Sequence, residues 1–238
     1  MNTATAENKV MYISQAENFS KIPGSPIAYW QRKAFFDAFE GPLLGNLYET
    51  KKGMFTGDND YFLKEWYEIS NTQVGSDFLF YNKGGGFRRW YGMNDIVIRW
   101  HNNGYEIKHS KGAGNINENY FYKTCLSWNL VSTAPFCCRV VALNNVMGDA
   151  GPICLTQVTD VNYYYILAYL NSCVANCFMS VLNPTMNYPS GVVAKMPSFI
   201  DKQKLPKVCE IAQNCVSLSK SDWDSFETSW DFKKHPLI

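Results

Sequence analysis

Apolar and polar positions divide this chain into two textures. Up to about residue 160, short apolar runs alternate with glycine-punctuated polar stretches; from Val161 to Leu182 apolar residues dominate. The first texture predicts short strands and loops, the second helices. Phe78-Leu79-Phe80-Tyr81 and Ile96-Val97-Ile98-Arg99-Trp100 read as strands. Further strands are expected at Cys125 to Leu130, Phe136 to Leu143 and Pro152 to Gln157, the last two separated by the turn-forming Met147 to Gly151. Upstream, Ser25-Pro26 has the form of a helix start. Ile27, Trp30, Ala34, Phe35, Ala38 and Phe39 then recur at helical spacing until Gly41-Pro42, which predicts one early helix packing an aromatic stripe on a sheet. The apolar stretch after 161 predicts one or two helices broken near Asn171-Ser172, with Val174, Phe178 and Val181 on a core face and Cys173 and Cys177 turned to one packed face. Asn183-Pro184 stops that helix, Tyr188-Pro189-Ser190-Gly191 reads as a turn, and a final helix is expected from about Pro206 to Ser219.

These elements predict an α+β fold: a mixed, largely antiparallel twisted β-sheet with flanking helices. The expected organisation is a single domain over 1–238, with a flexible lead-in over 1–18, a mainly β part with one early helix over 19–160 and a mainly helical part over 161–238. With 238 residues, 16% aromatic and 18% charged, the chain can bury a full core and does not have the composition of a disordered segment. Its eight cysteines have no regular spacing and no Cys-x-x-Cys, so they read as reduced thiols of a cytoplasmic protein. His101, His109 and His235 stand at no zinc-ligand spacing from them, so no metal is expected. No apolar run reaches the length of a membrane span, and no membrane partner is expected.

Charge changes the picture in one place. From Lys83 to Lys111, Lys83, Arg88, Arg89, Arg99, Lys108 and Lys111 stand against Asp95 and Glu106, in a chain whose formal net charge is only +1. Overlapping its start, Tyr81 to Gly92 joins three consecutive glycines to two adjacent arginines and the rings Phe87, Trp90 and Tyr91. Bare glycine backbone allows close approach, guanidinium forks suit phosphate oxygens or a guanine edge, and rings stack on bases or anchor a core. A surface hairpin with solvated arginines is the plain alternative.

The sequence holds no dinucleotide fingerprint, no Walker loop and no nucleophile elbow. Asn183-Pro184-Thr185 approaches the Asn-Pro-Pro-aromatic motif of amino-methylating enzymes but lacks the second proline and the ring, and reads as a helix stop.

Five segments carry a resemblance. Phe19 to Trp30, Phe55 to Phe62, Tyr81 to Gly92, Leu182 to Tyr188 and Asp222 to Pro236 resemble, in the same order, the target-recognition part of the adenine-specific DNA methyltransferases of phage-exclusion (BREX) systems, the PglX type. That part is itself similar to the specificity domains of type I and type IIG restriction-modification enzymes. The resemblance implies a module that closes on double-stranded DNA and reads a short site while an adenine is flipped. It implies no catalytic residue and no cofactor in this chain: S-adenosylmethionine belongs to a methyltransferase catalytic domain of the full-length protein, absent here together with its motif. On this reading Lys83, Arg99, Lys108 and Lys111 position phosphates and Arg88 and Arg89 meet base edges or phosphates, while Gly85, Trp90 and Tyr91 complete the loop. Thr56, Asp58 and Asn59 reach bases from a flexed loop, joined by Asn187. Each has a plainer role as well: Asp58-Asn59 as a turn cap, Arg99 in an ion pair, Asn187 satisfying its own loop. Other classes remain open. Rings with Asn, Asp and Gly loops also suit a carbohydrate-binding module, and the Trp223 to Trp230 tail suits a protein-interaction module that docks on other defence-system subunits.

Overall fold

The computed structural model describes residues 12–141, 145–156 and 162–238. The polar stretch 1–10 and the expected strand ends at Leu143 and Gln157 lie outside the described residues. Eight strands, β1 (Glu49–Lys51), β2 (Leu63–Glu65), β3 (Phe78–Asn82), β4 (Ile96–Arg99), β5 (Cys125–Trp128), β6 (Cys138–Val141), β7 (Asn145–Met147) and β8 (Ile153–Leu155), form two sheets among the described residues. Among the described residues nine α-helices join them: α1 (Ala16–Ser20), α2 (Lys33–Asp37), α3 (Leu44–Leu47), α4 (Asn59–Phe62), α5 (His101–His109), α6 (Tyr163–Leu170), α7 (Cys173–Leu182), α8 (Ser190–Val193) and α9 (Leu205–Trp223).

The fold is α+β, but with two sheets where one was expected. Sheet one has the order β1-β8-β5-β6 and is antiparallel throughout; sheet two has the order β2-β4-β3-β7, with β3 and β7 parallel. The reason lies in the alternation within each strand. Cys125 faces the second sheet's Leu79, Tyr81 and Ile98, whereas Leu126 and Trp128 face the helices beside Ile166, Leu167 and Phe178. Both faces of sheet one are thus covered, which is why its strands read as continuous apolar runs rather than an alternation. Sheet two repeats this: Leu79 and Tyr81 look inward, while Phe78, Phe80 and Val97 form a separate outer cluster with Trp66. Trp230 of the C-terminal tail covers that outer cluster, stacked edge-on against Trp66 and Phe80, and Trp66 Nε1–H donates to the Thr228 carbonyl at 2.9 Å. The stretch between β6 and β8 carries a strand, β7, that pairs with β3 in the other sheet; the turn expected there begins only after Met147.

The early helix is shorter than its periodicity suggested. Ser25 sits at φ 50°, a left-handed conformation outside the right-handed helical region, and α2 begins only at Lys33. Ile27 and Trp30 are exposed in consequence, while Phe35, Phe36 and Phe39 carry the burial. The break at Asn171-Ser172 is present, with the Ser172 hydroxyl accepting from the Ala175 amide at 3.2 Å as the cap of α7. In α7 Phe178 and Val181 are buried but Val174 is exposed, and so are Cys173 and Cys177; Ala175 and Met179 take the inward face instead. Ser190, expected in a turn, starts the one-turn helix α8. The last helix extends four residues beyond Ser219, which brings Asp222 and Trp223 under the glycine-arginine segment. All eight cysteines are free thiols; burial pushes Cys154 up to about 12 and raises Cys125 and Cys138 as well.

Among the described residues no single helix is long and apolar enough to cross a membrane; α6 and α7 together would be, but they bend by 63° and line the core.

Candidate nucleic-acid interface

The connection from β3 to β4, residues 83–95, leaves sheet two and crosses to the edge of sheet one. Gly84 makes this possible, because at φ 75° a Cβ there would lie 2.3 Å from the Ala150 carbonyl oxygen. The Gly85 amide then donates to Asn129 Oδ1 at 3.1 Å, and Asn129 Nδ2–H donates to the Gly86 carbonyl. Asn129 is held in turn by Arg139 on β6, whose Nη1–H donates to the same Oδ1 at 3.0 Å. Arg139 is fully buried, and burial pushes its guanidinium below its ordinary value. Beyond the glycines Trp90 pairs with β6 through its own N–H and C=O, at 3.0 and 2.9 Å to Cys138 and Val140, although its φ is 71°.

Arg88 and Arg89, adjacent in sequence, part company here. Arg88 turns toward α9: Nη2 meets Asp222 Oδ2 at 2.5 Å, Nε donates to the Tyr91 carbonyl at 3.1 Å, and the guanidinium lies 4.9 Å from the Trp223 ring centre. Arg89 lies over the Phe87 ring at 5.5 Å with its Nε buried and unpartnered. Tyr91 faces Lys220, whose ammonium sits 4.8 Å over the ring and between Asp224 and Asp231 at 2.7 and 2.6 Å. Burial opposes the Lys220 charge, but bonds to Asp224, Asp231 and Tyr91 outweigh it and raise the pKa. Of residues 83–95 only Gly85, Gly86 and Phe87 are exposed, so the segment is a fastened loop rather than a free hairpin tip.

The remaining candidates gather elsewhere. Phe55 and Gly114 exchange both backbone hydrogen bonds at 3.0 and 3.1 Å, which lays the Thr56 to Asn59 loop against the segment 110–114. Thr56 is buried and donates to Asn59 Oδ1 at 2.6 Å, and Asp58 accepts from the Tyr61 amide at 3.0 Å as the cap of α4. The Arg99 guanidinium lies 4.9 Å from the Tyr61 ring centre and in no ion pair among the described residues, and Tyr61 donates to Glu106 of α5. Lys108 pairs with Glu118 at 2.5 Å. Lys111 is exposed, and its ammonium has no partner among the described residues. Lys83 stands at a groove of about 290 Å³ that it shares with Asn59 but also with Asp60, Glu65 and Glu68. Asn187 lies apart, exposed, its backbone bridged to Val131.

Two residues not singled out in the sequence complete this corner. Asn102 and Asn103 open α5 at φ 49° and 55°, and with Gly104 they make a left-handed turn. Gly104 has no alternative, since a Cβ there would lie 2.8 Å from the Trp100 ring. Both asparagine side chains are exposed without partners among the described residues, and His101 beside them is tied to Asp77 at 2.7 Å. The dipeptide Asn-Asn before Gly is the available signal, because asparagine tolerates the left-handed region better than other side chains. Among the described residues no three His, Cys, Asp or Glu side chains are placed to share a metal ion.

No family model matches the chain. It is similar to an adenine-specific methyltransferase, PglX, of Lacticaseibacillus casei strain Zhang, with 32% identity over 248 residues that take in 96% of this chain and 20% of that protein. It is also similar to an adenine-specific methyltransferase, BrxX, of Escherichia coli O9:H4 strain HS, with 34% identity over 230 residues, 93% of this chain and 18% of that protein. The chain spans about a fifth of the length of the curated relatives it matches, and it corresponds to one region of proteins of the PglX and BrxX type.

Proposed function

We propose that this chain is the DNA-reading part of an adenine-specific methyltransferase and does no chemistry itself. The observation that carries the reading is a set of exposed polar side chains flanking α5 without partners among the described residues: Asn102 and Asn103 at its start, on a backbone fixed by Gly104, Trp100 and the His101–Asp77 contact, and Lys111 past its end. Asparagine offers a donor and an acceptor side by side, the pattern that matches adenine N6 and N7 in the major groove, and an unpaired lysine such as Lys111 suits a phosphate. Asp58 and Asn59 border the same corner through the Phe55–Gly114 bridge. Similarity to about a fifth of two adenine-specific methyltransferases supports the reading, with the methyl donor and the flipped adenine handled by the rest of the full-length protein.

The test uses the full-length protein and duplex DNA followed by fluorescence anisotropy over a salt series. Affinity should fall steeply with salt, and Lys111→Ala should reduce the slope of log affinity on log salt by about one. Salt-independent binding, or a Lys111→Ala slope equal to that of the unchanged protein, would argue against this corner as the DNA face.

A further inference from the structure

Phe87 is 51% exposed and is the exposed side chain of residues 83–95, beside the exposed Gly85 and Gly86, in a loop that is fastened on both sides. Before it stand the Gly84 contact with Ala150 and the Asn129 bonds to Gly85 and Gly86; after it, the Arg88–Asp222 pair and the Trp90 pairing with β6. A single exposed ring on a protein surface is ordinary. Here, however, the backbone around the ring is ordered by a buried asparagine and a buried arginine, while the ring itself contributes to none of the three apolar clusters. The ring's polar companion is Arg89, with its guanidinium over the phenyl face. A rigidly presented apolar side chain bordered by a cation has the chemistry of a wedge that parts two stacked bases while the cation meets the adjoining phosphate.

We infer that Phe87 is such a wedge, entering the base stack of the duplex that this chain reads. The inference rests on the DNA-reading proposal above. It differs from that proposal in what it asks of DNA: Asn102 and Asn103 recognise a base edge, whereas Phe87 deforms the duplex without reading it.

The experiment uses the full-length protein and a duplex carrying the motif it methylates, identified by methylome sequencing, with 2-aminopurine at the target adenine as a reporter of unstacking. The unchanged protein should raise the fluorescence on binding. Phe87→Ala should abolish most of that rise and weaken binding about tenfold, while Phe87→Leu, still an apolar wedge, should keep affinity within about threefold. Because the ring is exposed, both variants should melt within a degree or two of the parent, as expected of surface substitutions. If Phe87→Ala binds the same motif and unstacks it as the parent does, the wedge is wrong and the DNA-reading proposal stands. If Phe87→Leu loses as much as Phe87→Ala, the ring is a stacking platform and the wedge is again wrong. If the unchanged protein binds no duplex, both readings fall together.

Discussion

The loop at residues 83–95 and the corner at residues 101–114 are both basic and punctuated by glycine or asparagine, yet the fold uses them in opposite ways. In the loop Arg88 is engaged by Asp222 and Trp223, Tyr91 by Lys220, and Trp90 by β6. In the corner Lys111, Asn102 and Asn103 are exposed, with no side-chain partner among the described residues. A cation satisfied by its own fold has already lost its hydration and found its partner, and a phosphate would have to displace that partner. A cation left in water gains by releasing the counterions of DNA. Local charge density therefore does not tell which cations are free to meet a ligand; the partners that the fold brings to each of them do.

The comparison breaks most visibly at Asn129, which the loop needs and the corner does not. Asn129→Ala leaves the Gly85 amide, the Gly86 carbonyl and one arm of the buried Arg139 without partners, and should destabilise the protein by roughly 2 to 4 kcal/mol in urea unfolding. A loss under about 1 kcal/mol would mean that the loop is held by its backbone pairing alone. Arg139→Met should cost less than Asn129→Ala, because it removes the buried charge together with its hydrogen bond.

Arg88→Ala comes next, at about 1 to 2 kcal/mol, through lost packing on Trp223 and a partly exposed ion pair. The methylated motif of the full-length protein should be unchanged. A relaxed motif at unchanged stability would return Arg88 to the DNA face and erase the contrast between the two regions.

The smallest effect on stability separates backbone from side chain in the corner. Asn103→Ala should cost about 1 kcal/mol, since a Cβ without a local polar group is disfavoured in the left-handed region, whereas Asn103→Gly should stay within about 0.5 kcal/mol. If Asn103 reads a base, both substitutions should relax the methylated motif at one position, which methylome sequencing would report. A motif kept intact by Asn103→Gly would reduce the residue to a turn former.

Local pattern was enough for much of the scaffold. The runs 78–81 and 96–100 became β3 and β4, the break at Asn171-Ser172 divides α6 from α7, and Leu205–Trp223 fulfils the last helix with its proline in the first turn. These succeed because apolar period, caps and prolines act within a few residues. The early helix fails for a related reason: Ser25 takes a conformation set by the turn it closes with Ile22, which overrides the spacing of Ile27 and Trp30.

The sequence by itself determined that the strands precede the helices α6, α7 and α9, where the basic segment lies, and which segments resemble adenine-specific methyltransferases. Only the tertiary structure decided that there are two sheets, since β7 joins β3 across more than sixty residues, and that Arg88 belongs to α9 while Phe87 and Lys111 face outward. Side-chain type sets what a residue can bind. Whether it is free to bind depends on partners brought from far along the chain, such as Asp222 for Arg88 and Asn129 for Gly85, and those distances appear only once the chain is packed.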